Sequence, residues 1–522
     1  MNILQGVSRA VDSVIGAISP RSALQRVVAR HNLQIAQRMY AAARPTSDAG
    51  GWLPLDQGPN AIIRSSAPTV RARIRQLVRD FPYFARAVNV RCAFVVGNGI
   101  RLQMRMYKTD SKGKDRLDTV KNAAIEAAWE SWAAKADTSG RLSFYDLQEL
   151  AERQKMECGE YFFVKRYING EFRLQPMEPD RLSSLGATPA AGCDIEQGVE
   201  FDLNTGAPVA YHFLDDSFTP DTPGSNRYSL RSKRVPADQI IHGYKVLRPG
   251  QMRGISPLVS AVMVAGDLAD LLESELSSTR LQSKYLGFVT AQDVPRFQEK
   301  HGVKKVNGRS TQHLDMATIE YLNNGETIQL AKMDRQGTTF EPFLRFNLRT
   351  LAITAGITTE LITGDYTGIS YSNLRGIRQD LAVMLKPEQS DHVKWLCDPV
   401  FSAWLDWERL KNPGLLPYPR TLQPWETKWI APGQEPVDPL KEINAFKLEF
   451  ALKTRSPQEY VALRGRDWEE LLDEIKQAQE MAAERGLTID DVVTQNKTNP
   501  AALMQDGNAD AKKAPKEGKN AE

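Results

Sequence analysis

Two aspartates, Asp267 and Asp270, are the residues whose types and spacing come closest to a chemical site. Residues three apart in a helix lie on one face, so this pair of carboxylates could act as a general acid and base or hold a metal ion. Either role normally needs further groups, and the surrounding sequence offers neither a partner histidine nor a glycine-rich loop. The pattern therefore favours the solvated face of a helix over a catalytic or metal site.

The motifs of the common enzyme classes are also missing from the sequence. It contains no Walker A motif for a nucleotide-driven motor, no HExxH zinc motif and no GxSxG nucleophile elbow. The segment GISYS, at residues 368–372, lacks the glycine that would close such an elbow. The six histidines are never spaced as metal-binding pairs on a helix. We therefore predict a structural or assembly protein with no catalytic residue, no cofactor and no metal.

A cluster of tryptophans occurs in WLCDPVFSAWLDW, residues 395–407. These side chains could stack on the bases of a nucleic acid. Their helical spacing instead favours packing in a core or between subunits.

The composition is that of an ordinary globular protein. Its 522 residues are too many for one simple core, and we expect two to four structural units. The formal net charge of +3 provides no global basic field for nucleic acid, although residues 1–45 carry six arginines against one acid. Four widely separated cysteines without a CxxC predict a reducing compartment. No stretch approaches the roughly 18 apolar residues of a membrane span, so we expect a soluble protein made inside the cell.

The periodicity of the first half predicts a mixture of helices and strands. Residues 68–93 have a helical pattern with arginines opposite the apolar stripe. In YFFVKRYINGEFRLQPM, Asn169 and Gly170 separate two β-rich runs, which is the signature of a type I′ hairpin. VEFDLNTGAPVAYHFL and QIIHGYKVL predict further strands. Residues 61–256 should therefore form an α+β unit with a mostly antiparallel sheet.

The second half is predicted to contain two long helices, which carry these aspartates and a pair of arginines. The first, at 257–286, has apolar residues at 3–4 spacing and places Asp267 and Asp270 on its polar side. Short β-like runs follow. The next helix carries Arg345 and Arg349 one turn apart.

Between two helical segments the chain reads ITGDYTGISYSNLRG, residues 362–376. Two glycines and several small polar residues interrupt the helical pattern there, although no catalytic group is present. We expect a helix to resume with Ser372 as its cap, and Pro387 and Pro399 to bend or interrupt that helix.

Several segments together resemble one family, the lambda-type portal proteins of tailed bacteriophages. The segments are FPYFARAVNVRCAFVVGNGI, VEFDLNTGAPVAYHF, VPADQIIHGYKVLRPGQMRGISPL, DYTGISYSNLRG and VDPLKEINAFKLEFALKTRSPQEYVALRGRDWEE. Their order and spacing extend over roughly residues 60–490. RPGQMRGIS and YSNLRG are the most specific of them.

The resemblance implies a portal fold of class α+β that assembles as a cyclic ring, usually of twelve identical chains, at one vertex of the capsid. Such rings have an α+β wing, a stem of long helices, a small β-containing clip and a helical C-terminal crown. Double-stranded DNA is packaged through the ring by a docked terminase and later ejected by the same route.

The resemblance also implies the partners of the chain and the place where it works. The partners are copies of itself, the terminase large subunit, a major capsid or scaffold protein, head-completion or tail-connector proteins, and double-stranded DNA that passes non-specifically. No membrane is involved. The chain would be made in the cytoplasm of the bacterial host and would reside at the portal vertex of the virion.

The segments of the chain correspond to the parts of such a ring as follows. We expect a basic N-terminal arm at 1–60, the wing at 61–256, the first stem helix at 257–286, the clip at 287–340, the second stem helix at 341–361, the tunnel loop at 362–373, a long kinked helix and proline-rich connection at 374–439, crown helices at 440–490 and a disordered tail at 491–522.

In such a ring, the segment at 362–376 that interrupts the helical pattern would have a function. A loop that projects into a DNA channel from between two helices needs the conformational freedom of glycine and small polar side chains, but no catalytic group. The residues expected to line the channel are Asp365, Tyr366, Thr367, Gly368, Ile369, Ser370 and Tyr371.

The charged residues of the stem have two possible positions in such a ring. In a closed ring Asp267 and Asp270 would repeat as two bands of carboxylates, facing either the lumen or the adjoining stem helix. Arg345 and Arg349 could touch passing phosphates or pair with carboxylates across subunits. Pairing is favoured, because arginine binds carboxylates in a bidentate manner.

Two other classes of protein remain open from the sequence. The chain could be a metal-dependent nuclease or a protease of phage assembly, which would require a metal or nucleophile cluster. It could also be a monomeric DNA-binding adaptor, although the near-neutral net charge argues against this.

Overall fold

The computed structural model describes most of the chain between residues 57 and 484. The described residues are 57–109, 115–214, 232–290, 304–306, 309–314, 317–322, 340–415, 422, 426–433, 439–464, 466 and 468–484. The chain divides into two compact units, Met1–Gly58 and Pro59–Glu522, and every element below belongs to the second. The predicted arm, except for its last four residues, and the predicted tail at 491–522 lie outside the described residues.

The first half of this unit mixes helices and strands, as predicted. Its elements are α1 (Pro59–Asp80), α2 (Pro82–Val95), β1 (Arg101–Met104), β2 (Tyr107–Thr109), β3 (Asp115–Leu117), α3 (Thr119–Ala133), α4 (Phe144–Cys158), β4 (Glu160–Ile168), β5 (Glu171–Met177), β6 (Cys193–Glu196), β7 (Val199–Asp202), β8 (Pro208–Phe213), β9 (Lys233–Pro236) and β10 (Ile240–Tyr244).

The second half is mainly helical. Its elements are α5 (Val262–Lys284), β11 (Tyr285–Thr290), β12 (Lys304–Val306), β13 (Arg309–Leu314), β14 (Ala317–Leu322), α6 (Phe340–Ala355), α7 (Thr359–Thr363), α8 (Tyr371–His392), α9 (Asp398–Lys411), β15 (Thr427–Ile430), α10 (Pro439–Ala451), α11 (Pro457–Leu463) and α12 (Trp468–Glu484).

The helical pattern at 68–93 forms two helices instead of one. The chain breaks at Phe81, whose backbone is extended (φ −116°, ψ 105°). The cause is Pro82, because a proline ring disfavours helical geometry at the preceding residue. Pro82 itself lies in the first turn of α2, where its missing N–H has no helical partner to lose.

The two larger sheets of the first half are antiparallel, while β2 pairs with β3 and β1 pairs with β15 in two-stranded sheets. Strand β4 lies between β10 and β5 in a three-stranded sheet, and β6 to β9 form a four-stranded sheet in sequence order. At the turn between β4 and β5, Asn169 and Gly170 both have positive φ (53° and 82°), as a type I′ turn requires. The predicted hairpin is therefore confirmed.

The aromatic core joins the first half of the unit to a helix that lies far along the chain. Trp129 of α3 packs edge-on against Trp404 of α9, with ring centroids 5.2 Å apart, and against Phe144 at 5.1 Å. Trp129 and Trp404 are fully buried, and Trp407 is nearly so. The predicted core packing of this tryptophan cluster is confirmed at Trp404 and Trp407, which have no surface on which a base could stack.

The long helix predicted at 257–286 is shorter in the structure. Pro257–Ala261 forms a 3₁₀ turn, α5 follows, and the chain becomes strand β11 at Tyr285. The apolar stripe packs only in its first half: Val262 and Leu268 are buried, whereas Leu276 is 57% exposed. The second half of α5 therefore extends beyond the core of its own chain.

The segment that follows α5 contains a small sheet of four strands. Their order is β11, β14, β13 and β12, and only the pair of β11 and β14 is parallel. Its strands β12 to β14 lie within 287–340, and much of that segment lies outside the described residues.

The helices around the interrupted segment differ in detail from the prediction. The helix expected at 341–361 is divided into α6 and α7 at Gly356, which has a φ of 65°. Ser370 caps α8 in place of the predicted Ser372, because its hydroxyl accepts the N–H of Asn373 at 3.2 Å. Pro387 lies inside α8 without ending it, and the helix instead passes through a π-helical turn, Val393–Cys397, into α9.

Candidate functional site

The segment between α7 and α8 is a short loop, 364–370, built from the caps of its two helices. Gly364 ends α7 in the left-handed region (φ 72°), and its N–H donates to the carbonyl of Glu360 at 2.7 Å. Gly368 is also left-handed (φ 76°), and a Cβ at either glycine would meet no atom within 4 Å. The glycines are therefore required by the backbone geometry and not by crowding.

A single carboxylate, that of Asp365, organises the first half of this loop. Its Oδ1 accepts the backbone N–H of Thr367 at 3.0 Å and the Thr367 hydroxyl at 2.5 Å. These hydrogen bonds, and then the charge of Arg345, lower the pKa of Asp365 below its ordinary value of 3.8. Asp365 is therefore ionised at neutral pH and holds the turn closed.

The same carboxylate links the loop to Arg345 of α6. Arg345 Nη2 lies 3.1 Å from Asp365 Oδ2 and 2.9 Å from Glu341 Oε1. The sequence suggested that Arg345 pairs across subunits or touches phosphate, and its partners in the structure belong to its own chain. This pair was not predicted, because twenty residues separate the two side chains and no local pattern joins them.

The remaining loop residues present small or polar surface to solvent. Tyr366 is 49% exposed and Tyr371, the first residue of α8, is 44% exposed. Thr367, Gly368 and Ser370 are exposed, and Ile369 is half-buried. The loop carries one carboxylate and no cation. The seven predicted residues thus lie together in the structure.

The two candidate aspartates lie on the exposed side of α5. Asp267 and Asp270 are both exposed, and neither has an ion-pair partner among the residues that the structure describes. Arg349 is exposed on α6 and likewise has none there. Within one described chain, therefore, Asp267 and Asp270 are not paired with Arg345 or Arg349.

A buried ion pair that the sequence did not reveal joins the first residue of β4 to the segment that precedes α5. Arg253 Nε donates to both carboxylate oxygens of Glu160 at 2.9 Å, and the N–H of Gly254 donates to Glu160 Oε2 at 2.9 Å. Burial acts to raise the pKa of Glu160, but the charge of Arg253 and hydrogen bonds from His242 and Arg253 outweigh it and hold the pKa well below its ordinary value. Arg253 lies in RPGQMRGIS, so this ion pair attaches that segment to the start of β4.

The backbone at this junction is packed so closely that only glycine fits. A Cβ on Gly254 would lie 2.1 Å from the carbonyl oxygen of Gly159, and a Cβ on Gly159 would lie 2.1 Å from the carbonyl carbon of Ile255. Gly159 also has a φ of 90°. Both glycines are therefore needed where the segment before α5 passes the start of β4.

A second charge cluster anchors the far end of α8. Glu388 accepts Lys155 Nζ at 3.1 Å and Lys245 Nζ at 2.9 Å, and it lies 3.4 Å from Arg91. Lys155 also lies 2.6 Å from the buried Glu152. Burial acts to raise the pKa of Glu152, but the charge of Lys155 outweighs it and lowers the pKa to about 2. The helix that begins at the loop is therefore attached near its far end to α2, to α4 and to the residue that follows β10.

The described part of the chain contains no group of three or more histidine, cysteine or acidic side chains that could hold a metal ion. Among these same residues, no helix is both long and apolar enough to cross a membrane.

A family model decides the identity of the fold. The model for "Phage portal protein, lambda family" matches residues 46–389, which include strands β1 to β14, α5, α6 and the loop. The chain belongs to the lambda family of phage portal proteins. It is therefore a portal protein and a structural component of a bacteriophage virion.

Individual portal proteins are similar over most of their length. A "Probable portal protein" of Halomonas phage phiHAP-1 is 25% identical over 459 residues, covering 84% of this chain and 86% of the relative. The "Portal protein" of Escherichia phage N15 is 21% identical, with 83% and 88% covered. "Portal protein B" of Escherichia phage lambda is 20% identical, with 80% and 85% covered.

Solved structures give a weaker likeness. A chain from the neck of an empty gene transfer agent particle has a TM-score of 0.42 at 14% identity, with 78% of this chain and 98% of that chain covered. A chain from the virion of a native gene transfer agent particle has a TM-score of 0.34 at 13% identity, with 69% and 95% covered. Scores this low carry no argument about geometry.

Proposed function

We propose that this portal chain closes a ring with copies of itself, of twelve subunits, at one vertex of the capsid. Double-stranded DNA passes through the ring, inward during packaging by a docked terminase and outward during ejection. Membership of the portal family supports this function. The observation that carries the mechanism is the loop at 364–370, which is exposed, free of cations and held between two helices.

The parts of the ring follow from the elements of the chain. Residues 61–256 form the wing, α5 and α6 form the stem, the strands between them form the clip, and α10 to α12 form the crown. The loop lines the channel. Its position is set from both sides, because Arg345 of the stem holds Asp365 and the far end of α8 is anchored through Glu388.

The chemistry of the loop suits a passage for DNA. Duplex DNA carries about one charge per 1.7 Å, and six to ten fixed phosphate contacts produce tight, salt-dependent binding. A channel wall that made such contacts would resist the motor. The loop offers hydroxyls, aromatic edges and one anion, and Asp365 is ionised, so phosphates are not gripped as they pass.

A role as a passage for DNA also indicates what the chain does itself and what other proteins must supply. A conduit needs no chemistry of its own, and we propose that it acts as a structural component and not as a nuclease or protease. The terminase large subunit supplies the work, a capsid or scaffold protein surrounds the ring, and head-completion or tail-connector proteins close it. The basic N-terminal arm contacts a neighbouring subunit or the capsid.

The position of the loop can be tested by crosslinking to DNA. Thr367→Cys is labelled with a photoactivatable crosslinker in full-length protein that carries Cys193→Ser, because Cys193 is the half-buried native cysteine, whereas Cys92, Cys158 and Cys397 are buried. We expect crosslinks to DNA in particles arrested during packaging. Tyr167→Cys, at a wing residue that is 63% exposed, is the control and should give none. Equal crosslinking at both positions, or none at Thr367, would contradict the channel position of the loop.

A further inference from the structure

A groove lies between α5 and the corner at which α1 meets α2. It has a volume of about 860 Å³, and its apolar lining includes Leu77, Phe81 and Leu272. Met263 also lines it and is 59% exposed. Such a surface on the described part of one chain is incompletely covered, and a partner would bury it.

The groove contains a glycine, and no other part of the same chain fills the space that a side chain there would occupy. Gly266 lies inside α5 and lines the groove, yet a Cβ there would meet no atom within 4 Å. Glycine is less favourable than alanine in a helix interior. The notch above Gly266 is therefore space into which a partner's side chain can enter.

The charge of the groove is predominantly negative. Its lining includes four carboxylates and two guanidinium groups, namely Asp80, Asp267, Asp270, Glu273, Arg73 and Arg280. Asp267 and Asp270 have no ion-pair partner in the described part of the chain. A partner with apolar side chains around one cation would complement this surface.

Helix α6 has such a surface on the side opposite its packed face. Leu348, Leu351, Ala352 and Ala355 are buried against the core. On the other side, Phe346 is 65% exposed and Ile353 is 79% exposed, with Arg349 between them at a spacing of three and four residues. Residues at this spacing lie on one helix face, so the three side chains form a single stripe.

We infer that the groove of one chain receives the Phe346, Arg349 and Ile353 stripe of the next chain, with Arg349 paired to Asp267 or Asp270. Seven residues separate Met263 from Asp270 and Phe346 from Ile353, so both surfaces are about 10 Å long. The two surfaces are different, and a contact of this kind is heterologous and can close a ring. This inference rests on the proposed ring and names the residues that join its subunits.

A mixing experiment tests the pairing directly. Gly266→Trp puts a large side chain into the notch, where a Cβ has no atom of its own chain within 4 Å, and Phe346→Glu with Ile353→Glu places charge on the stripe. Each full-length variant alone should be monomeric in native mass spectrometry under conditions in which the wild type forms rings. Mixed together, the two variants should form a dimer, because one intact groove and one intact stripe remain. Val120→Glu, at a 74% exposed position on α3, is the control and should form rings.

The outcomes separate this inference from the proposed function. Rings formed by either variant alone, or the absence of a dimer in the mixture, would overturn the pairing while wild-type rings still support the portal assembly. A wild type that never forms rings would contradict the proposed function itself.

Exchange of charge adds a second readout. Arg349→Glu should lower assembly at least tenfold. Combining it in the same chain with Asp267→Arg and Asp270→Arg should restore part of the assembly.

Discussion

Arg345 Nη2 lies 3.1 Å from Asp365 Oδ2, and this ion pair joins α6 to the loop at 364–370. Asp365 uses its other oxygen to bind Thr367. One carboxylate therefore sets both the shape of the loop and its attachment. The helix α8 that leaves the loop is in turn fixed by Glu388, so the loop is positioned from both sides.

Loss of this ion pair should loosen the loop without unfolding the protein. Exposed pairs contribute little to global stability, so Arg345→Ala should leave Tm unchanged. Chymotrypsin cleavage after Tyr366 and Tyr371, followed by mass spectrometry, should become faster because the turn is no longer held. Arg141→Ala, at another exposed arginine, should cleave at the wild-type rate. Unchanged cleavage in Arg345→Ala would show that the pair does not restrain the loop.

The left-handed backbone at Gly368 should be essential for packaging but not for assembly. Proline fixes φ near −65°, whereas Gly368 has a φ of 76°. Gly368→Pro should therefore form rings that package DNA poorly, and Gly364→Pro should do the same. Gly368→Asn is the matched control, because asparagine tolerates the left-handed region. Packaging is measured as nuclease-protected DNA, and normal packaging by both proline variants would refute the tunnel-loop function.

The junction of Glu160 and Arg253 should be a major source of stability. Arg253→Ala removes the arginine that is hydrogen-bonded to the buried Glu160, and breaking a buried pair costs about 3–5 kcal/mol. Arg71 at 3.6 Å and His242 at 3.2 Å remain beside the carboxylate. The free energy of unfolding, measured by chemical denaturation, should fall by that amount. Arg64→Ala removes an exposed pair with Glu196 and should change it little. A similar small loss in both variants would mean that the buried pair is not needed to hold the junction.

Two buried histidines should make the protein less stable as the pH falls from 7 to 5.5. Burial lowers the pKa of His242 and of His392 below the ordinary value of 6.5. Each histidine therefore binds a proton less readily in the folded chain than in the unfolded chain, so stability is lost as the pH falls through 6.5.

Replacement of one histidine isolates its share of this effect. His392 lies 3.8 Å from Glu152 and is fully buried. In His392→Phe the loss of unfolding free energy between pH 7 and pH 5.5 should be smaller than in the wild type. Comparison of the two pH values within each protein removes the packing cost of the substitution. An identical pH dependence in both proteins would contradict a neutral, buried His392.

The features of the fold that depend on neighbouring residues could be predicted from the sequence. Asn169 and Gly170 predict a type I′ turn, and the β-rich runs on either side predict the two strands of the hairpin. The break at Phe81 was missed although Pro82 signals it locally. The cap of α8 was misplaced by two residues, because Ser370 and Ser372 are both acceptable caps and only the backbone geometry chooses between them.

Contacts between distant residues could not be predicted in this way. Arg253 and Glu160 are 93 positions apart, and neither has a local pattern that identifies its partner. The groove at Gly266 is likewise formed by helices that meet only after folding. The loop residues were identified because glycines and small polar residues interrupt a helical pattern, but the tie between Asp365 and Arg345 required the structure.

The mass and shape of purified full-length protein test the central claim most directly. Native mass spectrometry with negative-stain imaging should show a closed annulus of identical chains with a central hole. Procapsids assembled with the protein should carry the same annulus at one vertex. Monomers alone, in solution at every salt and protein concentration and also inside procapsids, would contradict the account.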